Sequence, residues 1–184
     1  MTHGSIRKHA ARALAAAAVL ALTASAHGRA PDEEGVGRGS LADIRALRRV
    51  ALIVSSSPTV DARDPARVAV EHYERAVAGS ATRPHAGGHR ALARRLNKYI
   101  RKYRSITAVP SAAEADFVIV FNVLRVRGSF IPDEPYIFGK LFVVRAPAPG
   151  QRPRVVWESK GHDARLDDAV SSFIKELKAT RGER

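Results

Sequence analysis

Phe117-Val118-Ile119-Val120-Phe121-Asn122-Val123-Leu124 is apolar at odd and even positions alike, broken only by Asn122. Side chains in a strand alternate between faces, so a run of this kind is a strand buried on both sides, central in its sheet. Val50-Ala51-Leu52-Ile53-Val54 has the same character and stops at Ser55-Ser56-Ser57-Pro58. Two such runs, separated by helical patterns, predict an α/β domain whose first strand reaches the later ones through a helical crossover.

The segments between and after them complete the outline. Asp64-Pro65 starts a helix, with Asp accepting from free N–H groups and Pro tolerated at the first helical position. Val70, Tyr73 and Val77 mark its apolar side and Gly79 its end. Gly79 to Gly88 reads as a loop. His89 to Arg104 is the most regular helix, with Leu92, Leu96, Tyr99, Ile100 and Tyr103 inside about a 100° arc. Ile106 to Val109 is a short edge strand. Beyond Leu124 the pattern alternates, with Arg125 and Arg127 outward, and strands follow over Tyr136 to Arg145 and around Val155-Val156-Trp157. Strands this close in sequence pair as an antiparallel meander. Leu166 to Leu177 gives a closing amphipathic helix, with Asp167 and Asp168 in its first turn and Lys175, Lys178 and Arg181 in its last, as the helix dipole favours. The expected fold is therefore a single α/β domain: a mixed sheet of four or five strands, covered mainly on one face by the helices at 89–104 and 166–180. Its core should hold Val50, Leu52, Ile53, Leu96, Ile100, Phe117, Ile119, Phe121, Leu141, Val143, Phe173 and Leu177, with Trp157 largely buried and its indole N–H paired.

The N-terminal residues carry a targeting pattern. Ile6 to Arg12 is basic without an acid, Ala13 to Thr23 is an apolar run of Ala, Leu and Val, and Ala24-Ser25-Ala26 is a small-x-small triplet. That order predicts a signal peptide over 1–26, cleaved after Ala26. The apolar run is about half a bilayer span, so the mature chain should have no transmembrane segment. The organisation expected is signal peptide 1–26, flexible lead-in 27–40 and α/β domain 41–184, in a periplasmic or secreted protein.

Export narrows the chemistry. The chain has no cysteine, so it has neither a disulfide nor a lipid-anchor Cys, and thiolate catalysis, iron–sulfur clusters and Cys-based zinc sites are excluded. Its net charge is +13, three of these from Arg7, Lys8 and Arg12 in the leader. A basic exported domain is drawn to anionic lipid, polysaccharide or acidic partners. Export also argues against nucleic acid as a partner.

The segment order, with Ala115-Asp116-Phe117-Val118, Gly139-Lys140-Leu141 and Val156-Trp157-Glu158-Ser159 at its strands, resembles small bacterial envelope proteins and lipoproteins whose fold is like the N-terminal domain of TolB. The likeness covers about residues 45–180. It implies an envelope assembly or interaction module without catalysis. This chain departs from that pattern by lacking the anchor Cys and by carrying the Asp64–Gly79 helix.

The strongest surface candidate lies on the central helix. Arg90, Arg94, Arg95, Lys98, Arg101 and Lys102 surround its apolar stripe, and no acidic residue occurs between Glu74 and Glu114. A basic amphipathic helix of this kind can lie on an anionic membrane or partner. A second candidate is a partner-binding loop with Phe130 and Ile131 beside Asp133 and Glu134. Apolar residues at a loop tip are frequent contacts. Two constellations support an alternative reading as a hydrolase or weak metal binder. His162-Asp163 is half of a catalytic triad, but no serine sits in a nucleophile-elbow motif. His72, His85 and His89 could hold a metal, but Gly87 and Gly88 between the last two leave the ligands without a common helix face. No phosphate-binding loop, dinucleotide fingerprint or zinc-protease motif occurs. The expectation is a non-catalytic protein without cofactor, using its basic helix to meet an envelope protein or an anionic surface.

Overall fold

The two double-sided apolar runs form neighbouring parallel strands, β1 (Arg49–Ser55) and β3 (Phe117–Arg127), with Val50 opposite Phe117 and Val54 opposite Phe121. The computed structural model describes residues 35–55, 64–80, 85–128, 136–161 and 163–184. The leader, the loop with Phe130, Ile131, Asp133 and Glu134, and His162 lie outside them. The remaining elements are α1 (Pro65–Val77), α2 (Ala86–Tyr103), β2 (Thr107–Ala108), β4 (Tyr136–Arg145), β5 (Arg154–Glu158), β6 (Ala164–Arg165) and α3 (Leu166–Arg181). The strand order is β2-β1-β3-β4-β5, and β6 pairs with β4. β2 and β3 run parallel to β1, whereas β3, β4 and β5 form the expected antiparallel meander. This is a single mixed α/β sheet with helices packed upon it.

Alternation along the strands divides the core. Val50, Val54, Phe117, Ile119, Phe121, Leu141 and Val143 pack with α2 and α3 through Leu92, Leu96, Phe173 and Leu177. Ala51, Ile53, Val118, Val120, Phe142 and Val144 face the other way, against Ala66, Ala69 and Tyr73 of α1. Each fully buried Phe contributes about 1.5–3 kcal/mol relative to exposure. Leu52 and Ile100 flank this core only partly buried. On α1 the small alanines bring the helix close to the sheet, and the inward side is turned from the expected Val70–Tyr73–Val77 stripe. Val77 is 42% exposed, while His72 is buried.

Local chemistry explains the helix ends. Asp64 accepts from the N–H groups of Ala66 and Arg67, ahead of Pro65. α2 starts at Ala86 rather than His89, because the His85 Nδ1 accepts the Gly88 N–H at 2.9 Å and caps the helix. Gly88 suits this turn, since a Cβ there would lie 2.8 Å from Val54 Cγ1. α3 ends on Gly182, whose φ of 71° is the left-handed conformation that closes a helix at little steric cost.

At the sheet edge one expectation needs correction, and residues 37–39, at the end of the lead-in expected over 27–40, are paired. The Gly39 N–H donates to Val155 O at 2.9 Å, the Val155 N–H donates to Gly37 O at 3.0 Å, and Arg38 pairs with Glu158. These residues cover the free edge of β5, whose backbone groups would otherwise lack partners. Trp157 is half-buried rather than largely buried, because β5 lies at the end of the strand order. Its indole N–H is paired as expected, donating to Glu176 Oε2 at 2.8 Å.

Candidate functional site

α2 and α3 cover the same sheet face and run beside each other, and their outer sides form an open groove of about 580 Å³. Lys98 and Lys102 line it from α2, Lys175 and Lys178 from α3. The rings of Tyr99 and Tyr103 and the side chain of Ile174 supply its apolar part. The basic surface is therefore built by two helices. Lysines four apart on α2 and three apart on α3 are each on one helix face, which brings both pairs to the shared groove.

The six cations expected on α2 do not behave alike. Arg90, Arg94, Lys98, Arg101 and Lys102 are exposed. Arg95 is drawn inward, and its Nε donates to Asp167 Oδ1 of α3 at 2.9 Å. The expectation of a helix face without acidic partners fails at that position, because α3 brings an acid that lies far away in sequence. Lys175 and Lys178, explained from sequence by the helix dipole alone, share the groove with the α2 lysines. The legible signal was their spacing; which surface they would join was not.

Two tyrosines four residues apart sit in contrasting fields. Tyr99 Oη donates to Glu183 Oε2 at 2.6 Å and lies 3.0 Å from Ser105 Oγ. Burial first, then the Glu183 carboxylate, pushes this phenol up to about 12. Tyr103 Oη is shielded from water and makes no hydrogen bond of standard geometry, its polar neighbours being the ammoniums of Lys178 and Lys102. The ammoniums of Lys178 and Lys102 each lie 5.1 Å from the Tyr103 ring centroid. Hydrogen bonding from Lys178 first holds the Tyr103 phenol below its ordinary range; burial opposes it, and Lys102 adds to the lowering. The arrangement gathers positive charge around an unused hydroxyl, above an apolar floor. That charge suits an anion, with the Glu183 carboxylate at the same groove engaged by Tyr99.

The histidines are not assembled. His72 is buried on α1, against the sheet face opposite to α2, and neither of its ring nitrogens has a partner. Burial first, then Arg75, lowers its pKa, with Glu71 opposing. His85 is committed to its capping bond and His89 is exposed. Among the described residues no three His, Asp or Glu side chains come together as metal ligands. Asp163 forms an ion pair with Arg125. Near His72's side of the sheet, Asn122 lies opposite both Ser55 and Lys140, and its Oδ1 has no partner. No helix among the described residues is long and apolar enough to cross a membrane. No family model, curated protein or solved structure matches the chain.

Proposed function

We propose that this is an exported, non-catalytic bacterial envelope protein, a binding or assembly module that meets anionic surfaces through the basic side of α2. The observation that carries the reading is the row of exposed cations, Arg90, Arg94, Lys98, Arg101 and Lys102, on a helix whose apolar stripe is already used by the core. With the stripe buried, charge is what this face offers a partner. The leader pattern at 1–26 supports a periplasmic or secreted location, and the segment order resembling the TolB N-terminal domain supports an interaction role.

Co-sedimentation with vesicles tests it. Vesicles containing phosphatidylglycerol should retain the protein at low salt, with about 1 kcal/mol of attraction per cation near the surface. Pure phosphatidylcholine vesicles should not. Salt should release the protein, because screening acts within about 10 Å at 0.1 M. The variant Arg90→Gln/Arg94→Gln/Arg101→Gln should lose most of the binding and keep its fold. Undiminished sedimentation of that variant would overturn the reading.

A further inference from the structure

We propose that the groove between α2 and α3 seats a phosphate monoester carried on an apolar body, as in a phosphatidic-acid headgroup, with Lys102 and Lys178 holding the phosphate and Tyr103 donating to it. This deepens the reading of α2 as an anionic-surface contact and rests on it. Lys102 and Lys178 come from different helices, yet their ammoniums stand at the same 5.1 Å from one ring centroid. Two like charges beside one ring repel each other, and an anion bound near both relieves that repulsion. A phosphate monoester is close to a dianion at neutral pH, so it matches two ammoniums.

The lining narrows the ligand further. Among the described residues that line the groove, Arg95 is engaged with Asp167 and the acid Glu183 with Tyr99, which leaves the lysines, point charges suited to phosphate. Tyr103 Oη makes no hydrogen bond of standard geometry and has the Lys178 and Lys102 ammoniums as its neighbours, so a phosphate that draws both ammoniums to itself takes the place beside this hydroxyl. Its neighbour Tyr99 is already satisfied by Glu183, which leaves Tyr103 as the available phenol donor. Ile174 and the Tyr103 ring then give the first carbons of the ligand an apolar contact, in a groove of small-molecule size. The depressed phenol of Tyr103 reports the same concentrated positive field.

Calorimetric titration of the full chain with monomeric dihexanoyl phosphatidic acid tests the site. That lipid should bind at least about tenfold more tightly than inorganic phosphate, because only it uses the apolar floor. Dihexanoyl phosphatidylcholine, which lacks the dianion, should bind negligibly. Lys102→Gln/Lys178→Gln should weaken binding by about tenfold or more, and Tyr103→Phe by about five- to tenfold, the loss of one hydrogen bond to a charged acceptor. Lys178→Arg, which retains the charge and guards against a folding artefact, should bind within about threefold of the wild type. Equal affinity for phosphate and phosphatidic acid overturns the proposal, as does full binding by the double lysine variant. Polyglutamate binding as tightly as the lipid also overturns it, in favour of an acidic protein partner. Vesicle binding without groove binding leaves the α2 surface standing and removes the groove. Groove binding without vesicle binding does the reverse.

Discussion

The Asp116 carboxylate grips Arg49 twice over: its Oδ2 accepts the Arg49 backbone N–H at 2.8 Å, and its Oδ1 accepts the guanidinium at 3.0 Å from Nε and 2.8 Å from Nη2. Oδ2 also accepts the Arg48 N–H at 3.0 Å, while the Asp116 N–H returns to Arg49 O at 2.9 Å. One residue thus ties the start of β1 to the start of β3, the pair on which the sheet is built. Burial raises the pKa of Asp116, but the hydrogen bonds from Arg49 and Arg48 outweigh it and hold the carboxyl below its ordinary value.

Asp116→Ala should therefore cost about 1–2 kcal/mol, mostly through the two backbone donors left without an acceptor. Arg49→Gln should cost less than about 1 kcal/mol, because an exposed ion pair contributes little and the Arg49 side chain is 58% exposed. With the folded pKa depressed, this stability is fully present above the unfolded pKa of about 4 and is lost as pH falls through the folded value. Urea denaturation of the two variants at neutral pH, and of the wild type down to acid pH, checks both statements.

Gly139→Ala should destabilise the protein by at least about 2 kcal/mol. A Cβ at Gly139 would stand 2.0 Å from the backbone oxygen of Asn122 and 3.0 Å from the Phe121 ring. The obstacle is the neighbouring central strand, which cannot yield without breaking its pairing with β4. Gly128→Ala, where a Cβ meets nothing within 4 Å, is the control and should change the melting temperature little.

His72 should make the fold sensitive to mild acid. Its folded pKa lies below the ordinary value, because burial disfavours the imidazolium. The unfolded chain then takes up the proton first. Stability is complete above about pH 6.5 and declines as pH falls from there through the folded pKa. His72→Leu should flatten that decline in denaturant midpoints measured between neutral and mildly acidic pH. A decline unchanged in the variant would assign the effect to another group.

The two groove tyrosines should separate in an ultraviolet titration. Tyr103, lowered by Lys178 and Lys102, ionises before an ordinary phenol, and Tyr99 stays protonated to about 12. Tyr103→Phe should remove the earliest phenolate signal and Tyr99→Phe a late one. Lys178→Gln should move the early step to higher pH, because the ammonium that favours the phenolate is gone.

Several features were legible along the chain because they are local. Apolar residues on both parities placed β1 and β3 inside the sheet, and helical spacing placed Leu92, Leu96 and Tyr99 of α2 in the core. Asp64-Pro65 announced a helix start because a cap acts within three residues. His85 as a cap was hidden, since Gly87 and Gly88 argue against a helix until the close approach to Val54 is known.

The sequence by itself determined the long strands, the three helices apart from the first turn of α2, and the side of α2 that is buried, for periodicity reports burial directly. It also determined that α2 carries more base than acid. Only the tertiary structure decided that α1 covers the sheet face opposite to the one that α2 and α3 were expected to share, that Arg95 meets Asp167, and that Lys175 and Lys178 line one groove with Lys98 and Lys102. The physical reason is that apolar burial is non-directional: it tells a face to leave water without naming the surface that covers it. The groove is made where two helices separated by the whole meander happen to be laid side by side.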